Sequence, residues 1–310
     1  MLDIIGKKWL YFLISGIIIL PGLLSLLLWG LKPSLDFTGG TLLEIQSSKF
    51  PASPAGRKVQ SSSEEIKKIL GEQNIEVSSI QASGKNTYLL RLKPIEQKQN
   101  TKLKAALQKK YEDIKELRFE TVGPTVGKET TQKATTAVII ASIAIVVFIT
   151  LAFRQIPKPY SSIKFGICAV GALIHDVLLV VGVFSILGHF YKVEVDSLFI
   201  TALLTIMGFS VHDTIVVFDR IRENLRKMAG QPFAEIVNES IIQTLVRSLS
   251  TSLTVIFTLS ALLLFGGESI RWFVVALLIG IISGTYSSIF NAAPLLVVWE
   301  EWSRKRKIHN

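Results

Sequence analysis

Residues 197–218 read SLFITALLTIMGFSVHDTIVVF, an apolar run that contains His212 and Asp213 near its end. A second apolar run contains the same pair as His175 and Asp176, and a third contains Arg247. A charged side chain at the centre of a membrane helix costs roughly 2.5–3.5 kcal/mol on insertion scales, so ionisable residues in spans usually serve an ion or proton path. The sequence therefore predicts a membrane protein with a charged site inside its helices.

The composition also indicates a membrane protein. The 310 residues are 49% hydrophobic with a mean hydropathy of +0.44, and the apolar residues concentrate outside residues 36–132. This distribution predicts several spans and one water-soluble insertion. The net charge is +10, but many basic residues flank the apolar runs, so membrane lipid is the expected partner and nucleic acid is not. The single cysteine, Cys168, lies in an apolar run and is expected to be buried.

Six spans are predicted, each close to the ~20 residues that cross a hydrocarbon core. They cover residues 9–31, 134–153, 163–188, 197–218, 242–265 and 272–298. The first span follows two basic residues, Lys7 and Lys8, as the apolar part of a signal peptide does. Its apolar run is too long for a cleaved signal, so an uncleaved anchor is predicted. The expected domains are a first helix at 1–31, a water-soluble domain at 32–132, a five-helix bundle at 133–300 and a basic tail at 301–310.

The short loops predict the orientation in the membrane. One side carries most of the basic residues, including Lys7, Lys8, Arg154, Arg226 and the tail residues 304–307, whereas the opposite short loops are mixed in charge. Positive loops face the cytoplasm. Both termini are therefore expected in the cytoplasm, and residues 32–132 outside it. Residues 231–241, apolar at helical spacing, are expected to form an amphipathic helix along the cytoplasmic surface.

The water-soluble insertion has the pattern of a ferredoxin-like domain. Residues 36–123 predict strand, helix, two strands, helix and strand, the split βαββαβ order, with the first helix at 63–70 and a hairpin turn at 83–86. The preceding 49–62, rich in Ser and Pro, is expected to be a loop. Neither a metal cluster, a nucleophile–base pair nor a phosphate loop is evident, so no enzyme activity and no cofactor are expected. The domain is expected to bind or move a partner.

Four motifs resemble one known family. Residues 35–40 read LDFTGG, residues 122–127 read VGPTVG, residues 208–224 read GFSVHDTIVVFDRIREN, and residues 243–248 read QTLVRS. Together they are similar to SecF proteins of the SecD/SecF family, in the resistance-nodulation-division superfamily of proton-driven transporters. The resemblance covers nearly the whole chain. The motif at 208–224 is long and specific, whereas the Asp-Phe-x-Gly-Gly piece alone does not separate SecF from SecD.

This resemblance implies a function and a set of partners. Members of the family pair with SecD, work beside the SecYEG channel, often with YajC, and use the proton motive force to help unfolded polypeptides cross the bacterial inner membrane. Protons would be the coupling ion. The family's intramembrane acid matches Asp213 and its arginine matches Arg247. An asparagine is more usual in the family at the position of His212, so a hydrogen-bonding or a titrating role stays open for this histidine.

The charged residues admit structural alternatives. Asp213 and Arg247 are expected at similar depth on antiparallel spans, either as a static ion pair or as a pair that protonation releases. A stripe at steps of three and four predicts a wet groove or a polar packing seam, and its members are Ser240, Thr244, Arg247, Thr251, Thr254 and Thr258. Asp176 is either a proton carrier or a buried structural acceptor. His175 and His212 are expected to donate and accept hydrogen bonds more than to carry protons.

Two other functions stay open at this stage. A passive membrane scaffold would need the charges only for helix packing. A small-molecule exporter of the same superfamily would usually have a much larger external domain than one βαββαβ unit.

Overall fold

The computed structural model describes residues 2–50, 57–82, 86–154, 156, 157 and 159–309. Its four strands are β1 (Gly40–Gln46), β2 (Val77–Ala82), β3 (Thr87–Leu92) and β4 (Lys115–Val122). The helices, in chain order, are α1 (Lys8–Trp29), α2 (Leu35–Thr38), α3 (Arg57–Glu72), α4 (Gln97–Lys110), α5 (Pro124–Ala152), α6 (Ser162–Tyr191), α7 (Ser197–Lys227), α8 (Phe233–Phe265), α9 (Arg271–Ser287) and α10 (Ala293–His309). The chain divides into two compact units, Pro33–Thr135 and the remainder.

The smaller unit contains an antiparallel four-stranded sheet in the order β2-β3-β1-β4. Strands and helices follow each other along the chain in the predicted order. Its core forms because alternate strand residues such as Leu43 and Leu90 meet Ile66 of α3 and Leu103 of α4, all nearly inaccessible to solvent. The helix predicted at 63–70 begins earlier, at Arg57, so the expected loop extends too far. The rest of that loop, 51–56, and most of the predicted turn, 83–85, lie outside the described residues.

Among the described residues, six helical segments are long and apolar enough to span a membrane, and all but the start of α5 belong to the larger unit. Several helices extend beyond the predicted apolar spans, because polar residues continue the helical turns outside the hydrocarbon. The amphipathic helix expected at 231–241 is helical from Phe233, but it forms the first turns of α8 and is not a separate helix. Its apolar side chains, Phe233, Ile236, Val237 and Ile241, are buried in the bundle core.

Small residues bring the helices of the bundle into close contact. A Cβ atom added to Gly182 of α6 would lie 2.7 Å from the Cα of Gly22 in α1. A Cβ atom at Gly280 of α9 would lie 2.3 Å from the side chain of Ile206 in α7. The backbones of α1 and α6 are therefore in close contact, and in the second pair the Ile206 side chain of α7 packs directly on the α9 backbone at Gly280. Cys168 is fully buried on α6, as predicted.

The last predicted span is not one regular helix. Helix α9 ends at Ser287, a π-helical segment runs from Ser288 to Ala292, and α10 continues to His309. A π turn widens the helix locally and changes which side chains face the neighbouring helix. Such segments occur frequently at functional sites.

Candidate functional site

Asp213 lies on α7 with 2% of its surface exposed. Among the described residues, its carboxylate contacts the Ser252 hydroxyl of α8, at 3.5 Å from Oδ2, and the Nδ1 atom of His212, at 3.9 Å from Oδ1. Both distances exceed those of a strong hydrogen bond to a carboxylate. Ser252 is also 2.6 Å from the Thr285 hydroxyl, which competes for its hydrogen. A negative charge on Asp213 is therefore weakly stabilised by the described residues of this chain.

The structure does not bring Asp213 and Arg247 into the predicted ion pair. Within the described ranges, no ion pair or hydrogen bond joins their side chains, and Arg247 is exposed on the outer side of α8. The residue of α8 that faces Asp213 is Ser252. Ser252 is five residues beyond Arg247, about 7.5 Å along a helix axis. The depth match predicted from span ends was wrong because the packing of α7 against α8 sets the register.

Two different polar faces run along α8. The inner face repeats every four residues and is buried, and its members are Ser240, Thr244, Ser248 and Ser252. The outer face, called here the α8 polar face, is exposed in this chain and consists of Arg247, Thr251, Thr254 and Thr258. The predicted stripe therefore mixes two surfaces, since Ser240 and Thr244 belong to the inner one. The inner face joins α7 through the hydrogen bond from Asn224 to Ser240, at 2.9 Å.

Asp176 lies on α6 and is completely buried. Three hydroxyls donate to its carboxylate: Ser210 of α7 at 2.6 Å, Ser283 of α9 at 2.7 Å and Ser287 of α9 at 2.6 Å. The neighbouring His175 contributes a fourth contact, from Nδ1 at 3.0 Å. A buried carboxylate with this many short hydrogen bonds is stabilised without a counter-charge. Asp176 thus joins three helices through one side chain.

His175 extends this network to α1. The amide nitrogen of Asn291, in the π-helical segment, lies 3.1 Å from its Nε2 atom and 2.8 Å from the Ser15 hydroxyl. Because an amide nitrogen only donates, Nε2 accepts and the ring hydrogen lies on Nδ1, where it donates to Asp176. These hydrogen bonds, called here the Asp176 network, run from Ser15 through Asn291 and His175 to Asp176. In this network His175 donates one hydrogen bond and accepts another.

Sequence reasoning missed the three serines around Asp176. A signal was present, because Ser283 and Ser287 are one helical turn apart and alternate with Gly280 and Gly284 on the same span. The glycines predict a close helix contact, and a hydroxyl beside such a contact reaches the neighbouring helix. The partner of those hydroxyls was not predictable, because it lies on α6, more than one hundred residues earlier in the chain.

The two acids offer different chemistry. In the described part of the chain, no group of three or more His, Cys, Asp or Glu side chains could hold a metal ion. A buried acid such as Asp213, with few hydrogen bonds, can take up a proton at little structural cost. Protonation of Asp176 would instead require its hydroxyl donors to reorient.

The chain matches protein-export families along most of its length. Residues 102–302 match the family described as protein export membrane protein SecD/SecF, C-terminal, and residues 30–49 match the SecD/SecF GG motif. Protein translocase subunit SecF of Thermobaculum terrenum is 46% identical over 312 residues, covering 97% of this chain and 94% of that protein. Protein translocase subunit SecDF of Bacillus subtilis is 34% identical, covering 96% of this chain and 38% of the relative.

A solved structure has the same fold. The crystal structure of SecDF from Thermus thermophilus, a translocon-associated membrane protein, superposes with a TM-score of 0.78 at 31% identity. The match covers 97% of this chain, which spans only 39% of that longer chain. From these matches, the chain belongs to the SecD/SecF family of protein-export membrane proteins, as a SecF-type subunit of the protein translocase.

Proposed function

We propose that this chain couples proton movement across the bacterial inner membrane to protein translocation, with Asp213 as the group that gains and loses the proton. The observation that carries the proposal is the environment of Asp213: it is buried, and its best contact is a hydroxyl at 3.5 Å. An ionisable side chain inside a membrane span is expensive and usually functional. One elementary charge moved through the membrane field is worth about 2.3 kcal/mol per 100 mV.

A SecD partner would complete this site. The α8 polar face and the His212 imidazole, whose side chain is 65% exposed, are polar groups on spans that this chain leaves uncovered. In hydrocarbon such groups need a protein or water neighbour. The Bacillus subtilis relative is named SecDF, which supports a SecD-type half beside this chain. We place Arg247 at that boundary, where protonation of Asp213 changes its attraction to the guanidinium.

The same proposal includes the role of the sheet-containing unit, the orientation in the membrane and the partners. The antiparallel-sheet unit is a ferredoxin-like domain outside the cytoplasm that contacts the translocating unfolded polypeptide. Both termini lie in the cytoplasm, since the basic short loops share that side. SecYEG is the channel served, with YajC as an associated subunit. The chain is not an enzyme and uses no cofactor other than the coupling proton.

Replacing the acid tests the proposal. Asp213→Asn, in the complex with SecD, is expected to remove the part of protein export that depends on the proton motive force, while SecD still co-purifies. The matched control is Asp219→Asn, since Asp219 lies on the same helix, is exposed and pairs with Arg222. Export measured in inverted vesicles with and without an uncoupler separates the two variants. Unchanged, uncoupler-sensitive export in Asp213→Asn would refute the proton role.

A double substitution separates this proposal from a passive scaffold. If the charges only fix packing, Asp213→Asn combined with Arg247→Gln restores export through repacking. If Asp213 carries the proton, the double variant is as inactive as the single one. Among the described residues the Asp213 carboxylate contacts Ser252 and His212 and not Arg247, so removing the guanidinium repairs no lost contact and we expect no restoration.

A further inference from the structure

A groove of about 550 Å³ opens between α5 and α6, at the end of the bundle where Lys164 pairs with Glu300. Its walls are apolar and come from both helices: Val146 and Ile149 on α5, and Ile163, Gly166, Ile167 and Val170 on α6. Arg154, Thr150 and Ser162 contribute the polar atoms. The volume lies within the ~300–1,000 Å³ range of small-molecule sites.

The groove exists because α5 contacts the bundle at only a few points near this end. Ile149 and Phe153 are buried, and the Phe153 ring lies 6.0 Å from that of Phe165 and 5.6 Å from that of Phe218. Gly166 provides no side chain to fill the space: a Cβ atom there would meet only Ile149, at 3.8 Å. The apolar wall is therefore open to the surroundings, with Ile163 71% and Ile167 49% exposed.

Arg154 places a positive charge at one end of this apolar wall. In the described part of the chain, its guanidinium has no ion-pair or hydrogen-bond partner. Two other basic residues of the larger unit do have acidic partners: Lys164 pairs with Glu300 at 2.7 Å, and Lys8 pairs with Glu301 at 2.8 Å. Ser162 opens the first turn of α6, where backbone N–H groups and the helix dipole add positive potential.

We propose that this groove binds an anionic phospholipid, with the phosphate on Arg154 and Ser162 and an acyl chain along Ile163, Ile167 and Val146. Charge complementarity selects the headgroup, since a planar guanidinium binds phosphate oxygens in pairs. The apolar wall on a membrane-spanning bundle selects the acyl chain. Basic pockets between membrane helices on the cytoplasmic side bind anionic headgroups elsewhere by the same chemistry.

Native mass spectrometry of the full chain in detergent tests the site, with phosphatidylglycerol and phosphatidylcholine as the two added lipids. The wild-type chain is expected to retain phosphatidylglycerol preferentially. Arg154→Gln should weaken that binding about tenfold, the usual worth of a charge-assisted hydrogen-bond pair. The control is Arg226→Gln, since Arg226 is an exposed arginine at the end of α7 and does not line the groove. It should leave lipid binding unchanged.

A second variant tests the acyl chain separately from the charge. Gly166→Leu fills the groove but keeps Arg154, and it should reduce lipid binding while the melting temperature stays near that of the wild type. Equal retention of both lipids, or full binding by Arg154→Gln, would overturn the proposal. So would loss of the bound lipid when SecD co-purifies, because the groove would then accommodate a partner helix. Soluble glycerol phosphate should not compete, since it lacks the acyl chain.

Discussion

Asp176 and Asp213 have nearly the same local sequence and very different surroundings. Each follows a histidine inside an apolar helix, and each is almost completely buried. Asp176 receives hydrogen bonds of 2.6–2.7 Å from three serine hydroxyls, whereas the hydrogen bond to Asp213 from the described residues comes from one hydroxyl at 3.5 Å. The difference teaches that burial alone does not identify a proton-carrying acid. Under the proposed function, the number of hydrogen-bond donors around the carboxylate distinguishes the two acids: Asp176 is held by several donors, and Asp213 has few.

The two histidines repeat this contrast. His175 donates to Asp176 and accepts from Asn291, so both ring nitrogens have partners. His212 lies 3.9 Å from Asp213, and its side chain is 65% exposed. The first pair belongs to a network that joins four helices. The second pair has an exposed imidazole, which under the proposed function would face the partner subunit.

The largest expected effect comes from removing the Asp176 carboxylate. Asp176→Leu leaves three hydroxyls and the His175 N–H without their acceptor in a buried site, so the free energy of unfolding should fall by about 3–5 kcal/mol. Asp213→Leu, the matched control, loses one weak contact and should change stability by less than about 1 kcal/mol. Thermal unfolding of both variants in detergent measures the difference. Equal melting temperatures would mean that the Asp176 network contributes little.

A glycine substitution tests the network without touching a polar group. A Cβ atom at Gly284 would lie 3.2 Å from Ser210 and 3.6 Å from the Asp176 carboxylate, so Gly284→Ala should press α9 away from α7. Overpacking of this kind costs about 1–3 kcal/mol. Gly208→Ala is the control, since its added Cβ atom would meet nothing within 4 Å beyond its own stretch of helix. The melting temperature should fall for Gly284→Ala only. An unchanged melting temperature for Gly284→Ala would mean that α9 and α7 are less tightly packed than the structure indicates.

Substitution of His175 should destabilise the protein more than substitution of His212, by a smaller margin than for the two acids. His175→Ala breaks the link between Asp176 and Asn291 and is expected to cost about 1–2 kcal/mol in the free energy of unfolding. His212→Ala removes an exposed ring and should cost less than about 0.5 kcal/mol. The two melting temperatures in detergent provide the measurement. A larger loss of stability for His212→Ala than for His175→Ala would contradict the view that His175, and not His212, stabilises the fold.

The smallest effect is expected for His212→Asn. An asparagine can donate and accept hydrogen bonds as a neutral imidazole does, but it does not titrate near neutral pH. If His212 only makes hydrogen bonds, export that depends on the proton motive force should be unchanged. A clear loss of that export, with normal assembly with SecD, would show that His212 itself carries protons.

The secondary structure was largely predictable because it depends on local patterns. The six apolar runs, the order of strands and helices in the smaller unit and the burial of Cys168 follow from periodicity and composition. Helix bounds were less predictable, as the start of α3 at Arg57 and the course of α8 from Phe233 demonstrate. The mostly polar residues 57–62 continue α3 beyond its apolar stretch, which hydropathy does not report. Helix α8 runs without a break from the predicted amphipathic segment into the predicted span.

The sequence by itself determined that acids lie inside membrane spans, and the family motifs singled out Asp213 and Arg247. It could not determine which side chains face each acid. Only the tertiary structure placed three serines on Asp176, placed Ser252 opposite Asp213 and left Arg247 on the outer side of α8. The physical reason is that a helix pattern fixes the face of a residue, whereas the register between helices depends on close packing at distant positions such as Gly284 and Ser210.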